Sequence, residues 1–311
     1  MYLVIGHRNP DTDSFCASVV FAQYLRDTGR DATAYALGKP NKETEFVFHH
    51  RNVGIPEEKI IFPKGSMLVL VDHNEAPQSV PNRDEYMIAM VIDHHKISDF
   101  NTSTPPQYMR VQAVGSTCTI LHQMFLAKNY TPSREMAGLM ISAIVSDTLL
   151  LRSPTTTVYD KEAVSHLMLI AGIQDLEQYA MDMFTAKSNL GAMPAQEIIG
   201  LDYKHYTIAG KKIGIGTMET TNPSYALQRK DELIAAIRYR KSDEQIDHLL
   251  FCVVDILHET NLAIVADDQD ATLIAGAYGV TTDPLTSLAN LGDLISRKLQ
   301  LVPMLEKYLK S

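Results

Sequence analysis

Residues 87–95 read Met87-Ile88-Ala89-Met90-Val91-Ile92-Asp93-His94-His95. An apolar run with no polar alternation suits a strand buried on both faces, as in a parallel sheet covered by helices. An acid and two imidazoles follow at once. Two other stretches have the same form. Tyr2–Ile5 runs into Gly6-His7-Arg8-Asn9-Pro10-Asp11-Thr12-Asp13, and Met67–Val71 runs into Asp72-His73-Asn74-Glu75. Helical patterns lie among them: Ser14–Arg26, with Phe15, Val19, Ala22 and Leu25 on one face, then Asn41–His50, Cys118–Ala127 and Arg134–Leu149. Buried strands alternating with helices predict an α/β fold, a doubly wound domain with a mainly parallel sheet.

Helices are expected from Val158 to Lys187. Ser188-Asn189-Leu190-Gly191-Ala192-Met193-Pro194 then gathers Ser, Asn, Gly and Pro, the residues that punctuate a chain. The sequence thus predicts a first domain over 1–187, a hinge linker over 188–194 and a second domain over 195–311. In the second, Lys204–Ile208 and Lys212–Gly216 suggest a hairpin turning at Ala209-Gly210. A long helix is expected over Tyr225–Tyr239. Leu249–Leu257, Leu262–Ala266 and Thr272–Ala277 are expected as antiparallel strands, and Leu288–Leu299 as a final helix. The result is a smaller C-terminal α+β domain with a mixed or antiparallel sheet.

The 311 residues allow one large domain or two ordinary ones, and 45% hydrophobic with 21% charged residues excludes disordered and fibrous classes. No apolar run approaches the ~20 residues that span a bilayer, so no membrane role is expected. The first residues lack a basic segment and a long apolar one, so no secretory leader is expected. Cys16, Cys118 and Cys252 are odd in number and form no C-x-x-C, which fits reduced, packed thiols in a cytoplasmic protein. A net charge of −9 disfavours broad binding to nucleic acid. A small anionic substrate would need local positive charge, from metals or clustered bases.

Ligands bind outside the carboxyl ends of parallel strands, and here three strand ends deliver His and Asp to one sheet edge. Ser146-Asp147-Thr148 adds a fourth segment, since an aspartate closing the apolar helix after Gly138–Val145 is out of place unless paired or bound to metal. A single His or Asp at a strand end is more often a cap. Four such segments in one half-chain point to a joint site. His49-His50 serves as a contrast, lying in a helical pattern with no strand before it. His122, His166, His248 and His258 lack acidic strand-end company and read as packing or surface residues. Asp255 lies within an apolar strand but has no second ligand nearby.

Mixed imidazole and carboxylate donors suit Mn²⁺, Co²⁺, Fe²⁺ or Zn²⁺, and the absence of thiolates argues against structural zinc. His7, His94, Asp11, Asp13, Asp72 and Asp147 exceed the needs of one ion. A pair of ions about 3.5–4 Å apart activates water for phosphoryl displacement. Lys204 and Ser296-Arg297-Lys298 offer cations for a phosphate substrate.

At these residues the sequence resembles a known family. Asp93-His94-His95 matches the signature of the DHH phosphoesterase superfamily. The whole set, Gly6–Ser14, Val71–Glu75, Ile92–His95, Ser146–Thr148 and Ser296–Lys298, resembles the family II, manganese-dependent inorganic pyrophosphatases, and spans nearly the whole chain. The resemblance implies that His7, Asp11, Asp72 and Asp147 hold one ion and Asp13, Asp72, His94 and Asp147 the other. His95, Lys204, Arg297 and Lys298 then bind substrate, with His95, Asp72, Asp147, Arg297 and Lys298 catalytic. Asp93 either orients the following imidazoles or caps the strand. Leu299 departs from the pattern, standing where many members carry another lysine.

The implied activity is hydrolysis of pyrophosphate to two phosphates by a hydroxide held between two Mn²⁺ per subunit. Co²⁺ is an alternative ion, and a further Mg²⁺ accompanies the substrate. The second domain, resembling DHHA2, would close an Arg/Lys clamp over a cleft between the domains. A cytoplasmic homodimer through the first domain is also implied. The nearest rival is a DHH-superfamily phosphodiesterase or exopolyphosphatase acting on short oligonucleotides or polyphosphate. The enzymes acting on oligonucleotides need a surface for bases, usually aromatic platforms, and typically carry a glycine-rich C-terminal motif with His. This chain has no Trp, and Gly276-Ala277-Tyr278-Gly279 is not such a motif.

Overall fold

The apolar runs of the first half form strands, and each helix between them begins at a side-chain cap. The structure, a computed structural model, describes residues 1–100 and 105–310, so residues 101–104 of the expected first domain and Ser311 of the second lie outside the described residues. The chain divides into two units, Met1–Ala186 and Lys187–Ser311. Among the described residues no helix is long and apolar enough to cross a membrane.

The first unit runs β1 (Tyr2–Arg8), α1 (Thr12–Asp27), β2 (Ala32–Leu37), α2 (Lys42–His50), β3 (Met67–Val71), β4 (Met87–Asp93), β5 (Tyr108–Val111), α3 (Thr117–Ala127), α4 (Arg134–Asp147), α5 (Val158–Ala171) and most of α6 (Leu176–Ser188), whose last two residues fall in the second unit. Its sheet has the order β2-β1-β3-β4-β5, and every pair is parallel. The order in which strands are added across the sheet reverses between β1 and β3, the place where parallel sheets open a crevice at their carboxyl ends. His7 ends one of those strands and Asp72 directly follows the other. Leu3, Ile5, Leu68, Leu70 and Val91 pack one core face with Phe62 and Tyr86. Helices α1 and α4 pack on each other and are buried along most of their length, as expected for helices apolar nearly all round.

Gly6 is required by close approach. A Cβ there would overlap the Ser14 hydroxyl. That hydroxyl accepts from His7 N at 2.9 Å and so fixes the end of β1 to the start of α1.

The second unit runs α7 (Ala195–Ile198), β6 (Lys204–Ile208), β7 (Lys211–Thr220), α8 (Pro223–Gln228), α9 (Lys230–Asp243), β8 (His248–Asp255), β9 (Thr260–Ile264), α10 (Asp268–Tyr278), β10 (Leu288–Gly292) and α11 (Val302–Lys310). Its sheet has the order β10-β9-β8-β7-β6 and is mixed. Leu233, Ala236 and Ile237 of α9 pack with Leu249, Phe251 and Val253 of β8 in the core.

Four local expectations fail here. Thr272–Ala277 lies in α10, not a strand: Asp267 caps its start by accepting from Asp270 N, and Gly279 ends it in the left-handed conformation. Leu288–Leu299 is not a helix; its first residues form β10, paired antiparallel with β9. The strands do not all meander, because β7 and β8 are parallel, joined by a crossover through α8 and α9. The helix expected over Tyr225–Tyr239 breaks at Arg229, whose N–H donates to Ala226 O. In the first unit, β2 and β5 went unpredicted.

Candidate metal centre

The carboxyl ends of β1, β3 and β4, the start of α1 and the end of α4 bring their acids and imidazoles together. Among the described residues, three groups have donor atoms all within 4.8 Å of one another: His7, Asp11 and Asp72; Asp13, Asp72, His94 and Asp147; and Asp72, His94 and His95. All six residues expected as metal ligands, with His95, thus lie in linked clusters. The arrangement differs in one respect from that implied by the resemblance. Asp147 falls in one group only, and Asp72 alone joins the two metal-sized groups.

Asp72 faces both imidazoles. Its Oδ2 faces His7 Nε2 at 3.3 Å, and its Oδ1 faces His94 Nε2 at 3.2 Å. Asp72 holds a left-handed backbone with φ of 61°. For a non-glycine residue this costs about 1–3 kcal/mol and recurs at functional sites. Asp72 N donates to Ile92 O, and Thr117 Oγ1 donates to Asp72 Oδ1 at 3.1 Å, which hold the strained turn.

The imidazoles are held with one nitrogen facing the acids. His7 Nδ1 lies 2.9 Å from Arg8 O, and His94 Nδ1 lies 3.0 Å from Val114 O. A carbonyl can only accept, so both Nδ1 atoms carry the proton. In the neutral rings the Nε2 lone pairs then face the cluster, as metal ligands do. His7 Nε2 also lies 3.3 Å from Asp11 Oδ2, and His94 Nε2 lies 3.5 Å from Asp147 Oδ2.

The charges explain what the cluster needs. Burial pushes the Asp13 carboxyl up, helped by the charge of Asp72, to about 8. Burial opposes a charged His7, yet the Asp11 and Asp72 carboxylates outweigh it and raise the imidazole well above its usual value. Without other cations, protons must neutralise the crowded acids. Asp147 also closes α4, where the helix dipole disfavours a negative charge. His7 Nε2 and Asp72 Oδ2 are buried and make no hydrogen bond among the described residues. Lone pairs converging without donors, among acids in excess, fit divalent cations.

Sequence reasoning missed one support. Thr117 N donates to Asp13 Oδ2 at 2.7 Å and Cys118 N to Asp13 Oδ1 at 3.3 Å, so the start of α3 grips this carboxylate. Ser116, the cap of that helix, was the available signal. The alternatives for Asp93 also separate. Its Oδ1 accepts from His95 N at 3.0 Å and from His95 Nδ1 at 2.9 Å, while its Oδ2 accepts from Asn74 Nδ2 at 2.6 Å. Asp93 therefore orients His95, while His94 is oriented by a backbone carbonyl.

The other histidines stand elsewhere. His50 packs against Phe46 and Tyr179, His122 pairs with His166 at 2.9 Å, and His248 faces Asp270. Asp255 pairs with His258 in a tight turn.

In the second unit, Lys204 begins β6. Arg297 and Lys298 open a π-type turn, Arg297–Leu301, capped by the Ser296 side chain accepting from Leu299 N. Arg297 is gripped by Asp202: Nη2 lies 2.7 Å from Oδ1, and Nη1 donates to the Asp202 carbonyl. This contact ties Arg297 to the segment leading into Lys204.

Comparison with known proteins follows the same division. Residues 1–144 match the model of the DHH family, N-terminal domain, and residues 181–308 match the DHHA2 domain. A relative from Deinococcus radiodurans is 43% identical over 99% of this chain and 98% of its own length. One from Bacillus subtilis is 36% identical over 97% of each chain. Both carry the name of manganese-dependent inorganic pyrophosphatases. A crystal structure from Methanococcus jannaschii, assigned to the family II inorganic pyrophosphatases, aligns over 100% of both chains with a TM-score of 0.88 and 34% identity.

Proposed function

This chain belongs to the manganese-dependent inorganic pyrophosphatases, hydrolases of a phosphoanhydride bond in the DHH family, and from that membership we propose that it hydrolyses pyrophosphate to two phosphates at the cluster around Asp72. The observation that carries the site is the placing of the two Asp72 oxygens, one toward each imidazole. His7, Asp11 and Asp72 would hold one cation, and Asp13, Asp72, His94 and Asp147 the other. Mn²⁺ suits these donors, Co²⁺ shares their preference, and a further Mg²⁺ travels with the substrate. The cation pair, when bound, polarises the phosphate and lowers the pKa of the attacking water.

The chain's own residues do the rest. Asp93 fixes the His95 ring through Nδ1, and His95, with 19% of its side chain exposed, directs its other nitrogen to the substrate. As the bridging P–O bond breaks, His95 supplies a proton to the leaving phosphate. Lys204, Arg297 and Lys298 neutralise the phosphate oxygens in a clamp brought by the second unit, with 188–194 as the hinge.

The test compares phosphate release from pyrophosphate, a dinucleotide and a long polyphosphate, each with Mn²⁺ and with Mg²⁺. Release from pyrophosphate alone, faster with Mn²⁺, is expected. Preferential cleavage of the dinucleotide or polyphosphate would reject this reading in favour of a phosphodiesterase or exopolyphosphatase.

We also assign a homodimer through the first unit. Its support is β5, an edge strand with Tyr108 and Met109 both exposed, the kind of edge that pairs with another strand. Sedimentation should show twice the chain mass of 34.7 kDa. Met109→Pro should lower it to one chain mass, and a dimer that survives this change would place the contact elsewhere.

A further inference from the structure

Glu43 lies in the first turn of α2 and is only 1% exposed. The reaction above gives it no part. A buried carboxylate is expensive unless its environment satisfies it. Here one oxygen does most of that work: Oε2 accepts from Thr12 Oγ1 at 2.8 Å and from Ser146 Oγ at 2.7 Å.

The two donors are informative because of their neighbours. Thr12 stands between Asp11 and Asp13, and Ser146 immediately precedes Asp147. One carboxylate oxygen therefore ties the start of α1 to the end of α4. Thr44 Oγ1, 3.1 Å from Thr12 Oγ1, extends the same hydroxyl network. Asp13 and Asp147 belong to one donor group although they come from these two helices. Helices packed through apolar side chains tolerate small slides, whereas metal–ligand distances tolerate about 0.2 Å. A shared acceptor between the helices supplies the missing constraint.

We propose that Glu43 is a positioning residue of the metal centre, acting through Thr12 and Ser146 to set the spacing between the Asp11–Asp13 segment and Asp147. This inference rests on the reading of those acids as ligands of two cations. Because its role is to accept two hydroxyl hydrogen bonds, the amide oxygen of glutamine can replace it. Aspartate is one methylene shorter and cannot reach both donors.

The test is Mn²⁺ titration by calorimetry of the metal-stripped, full-length protein, with thermal unfolding measured before and after loading. Glu43→Ala should weaken uptake of one ion about 10–100-fold, the usual effect of losing a group that orients metal ligands. Glu43→Gln should retain wild-type affinity, and Glu43→Asp should resemble Glu43→Ala. If Glu43→Ala does not fold, Ser146→Ala removes one leg of the strut and should weaken the same ion about tenfold.

Equal losses in Glu43→Gln and Glu43→Ala would make charge the cause and overturn the positioning role. So would a lower metal-free melting temperature with unchanged Mn²⁺ affinity. Asp72→Asn, titrated alongside, separates the two levels. If the wild type takes up only one Mn²⁺, the two-cation reading fails. If the wild type takes two ions and Glu43→Ala takes them as tightly, only the present inference fails.

Discussion

Asp72→Asn will lower kcat/KM for pyrophosphate by about a thousandfold or more, equivalent to roughly 4 kcal/mol of transition-state stabilisation. The size of the effect follows from geometry. Asp72 is the one residue common to both metal-sized groups, and its two oxygens face different imidazoles. Asparagine keeps the shape and one acceptor oxygen. It removes the charge, and its NH2 group turns a donor toward one of the two positions. Steady-state kinetics should be paired with Mn²⁺ stoichiometry, which should fall from two to at most one. Unchanged far-UV circular dichroism would show that the fold is kept. A variant with two ions and near-wild-type turnover would show that Asp72 does not bridge.

Arg297→Ala should raise KM about tenfold and lower kcat about a hundredfold, while Mn²⁺ affinity stays at the wild-type value. The guanidinium is held by Asp202 through two contacts, so it is presented in a fixed orientation. Burial opposes its charge, but the Asp202 carboxylate more than offsets this and keeps it firmly protonated. Arg297→Lys should recover little, since an ammonium cannot reproduce two parallel N–H bonds to phosphate. Shortening 188–194 should act in the same direction, lowering turnover with both ions still bound. Loss of Mn²⁺ binding in Arg297→Ala would place this residue in the metal centre. Unchanged kinetics would remove the clamp.

The first unit was legible because its chemistry follows directly on buried strands. Met67–Val71 reads as a strand and is one, and the residue after it, Asp72, belongs to every donor group found among the described residues. The strands β2 and β5 escaped because Tyr108–Val111 is short and half-exposed, and Ala32–Leu37 is only partly buried and holds three small alanines rather than a β-branched run. In the second unit, short segments defeated periodicity. Leu288, Leu291 and Ile295 recur at helical spacing, yet pairing with β9 makes the first of these residues a strand. Thr272–Ala277 was too short a window to separate helix from strand, although Asp267 and Gly279 mark both ends of α10.

The site was legible as a set of residues and less so as a geometry. The strand ends name the donors, but which donors share an ion depends on the reach of α4. That helix brings Asp147 to Asp13 and His94 and leaves it out of the group around His7. The hydrogen bonds that hold the donors come from Thr117 and Cys118, and Glu43 ties their neighbours Thr12 and Ser146; these residues carry no pattern distinguishing them from ordinary caps and core polar groups.

Diffraction from Mn²⁺-loaded crystals at the manganese absorption edge tests the dinuclear centre most directly. The account predicts two anomalous peaks about 3.5–4 Å apart. One should be bounded by His7, Asp11 and Asp72, the other by Asp13, Asp72, His94 and Asp147. A single peak, or two peaks that do not share Asp72, would contradict it.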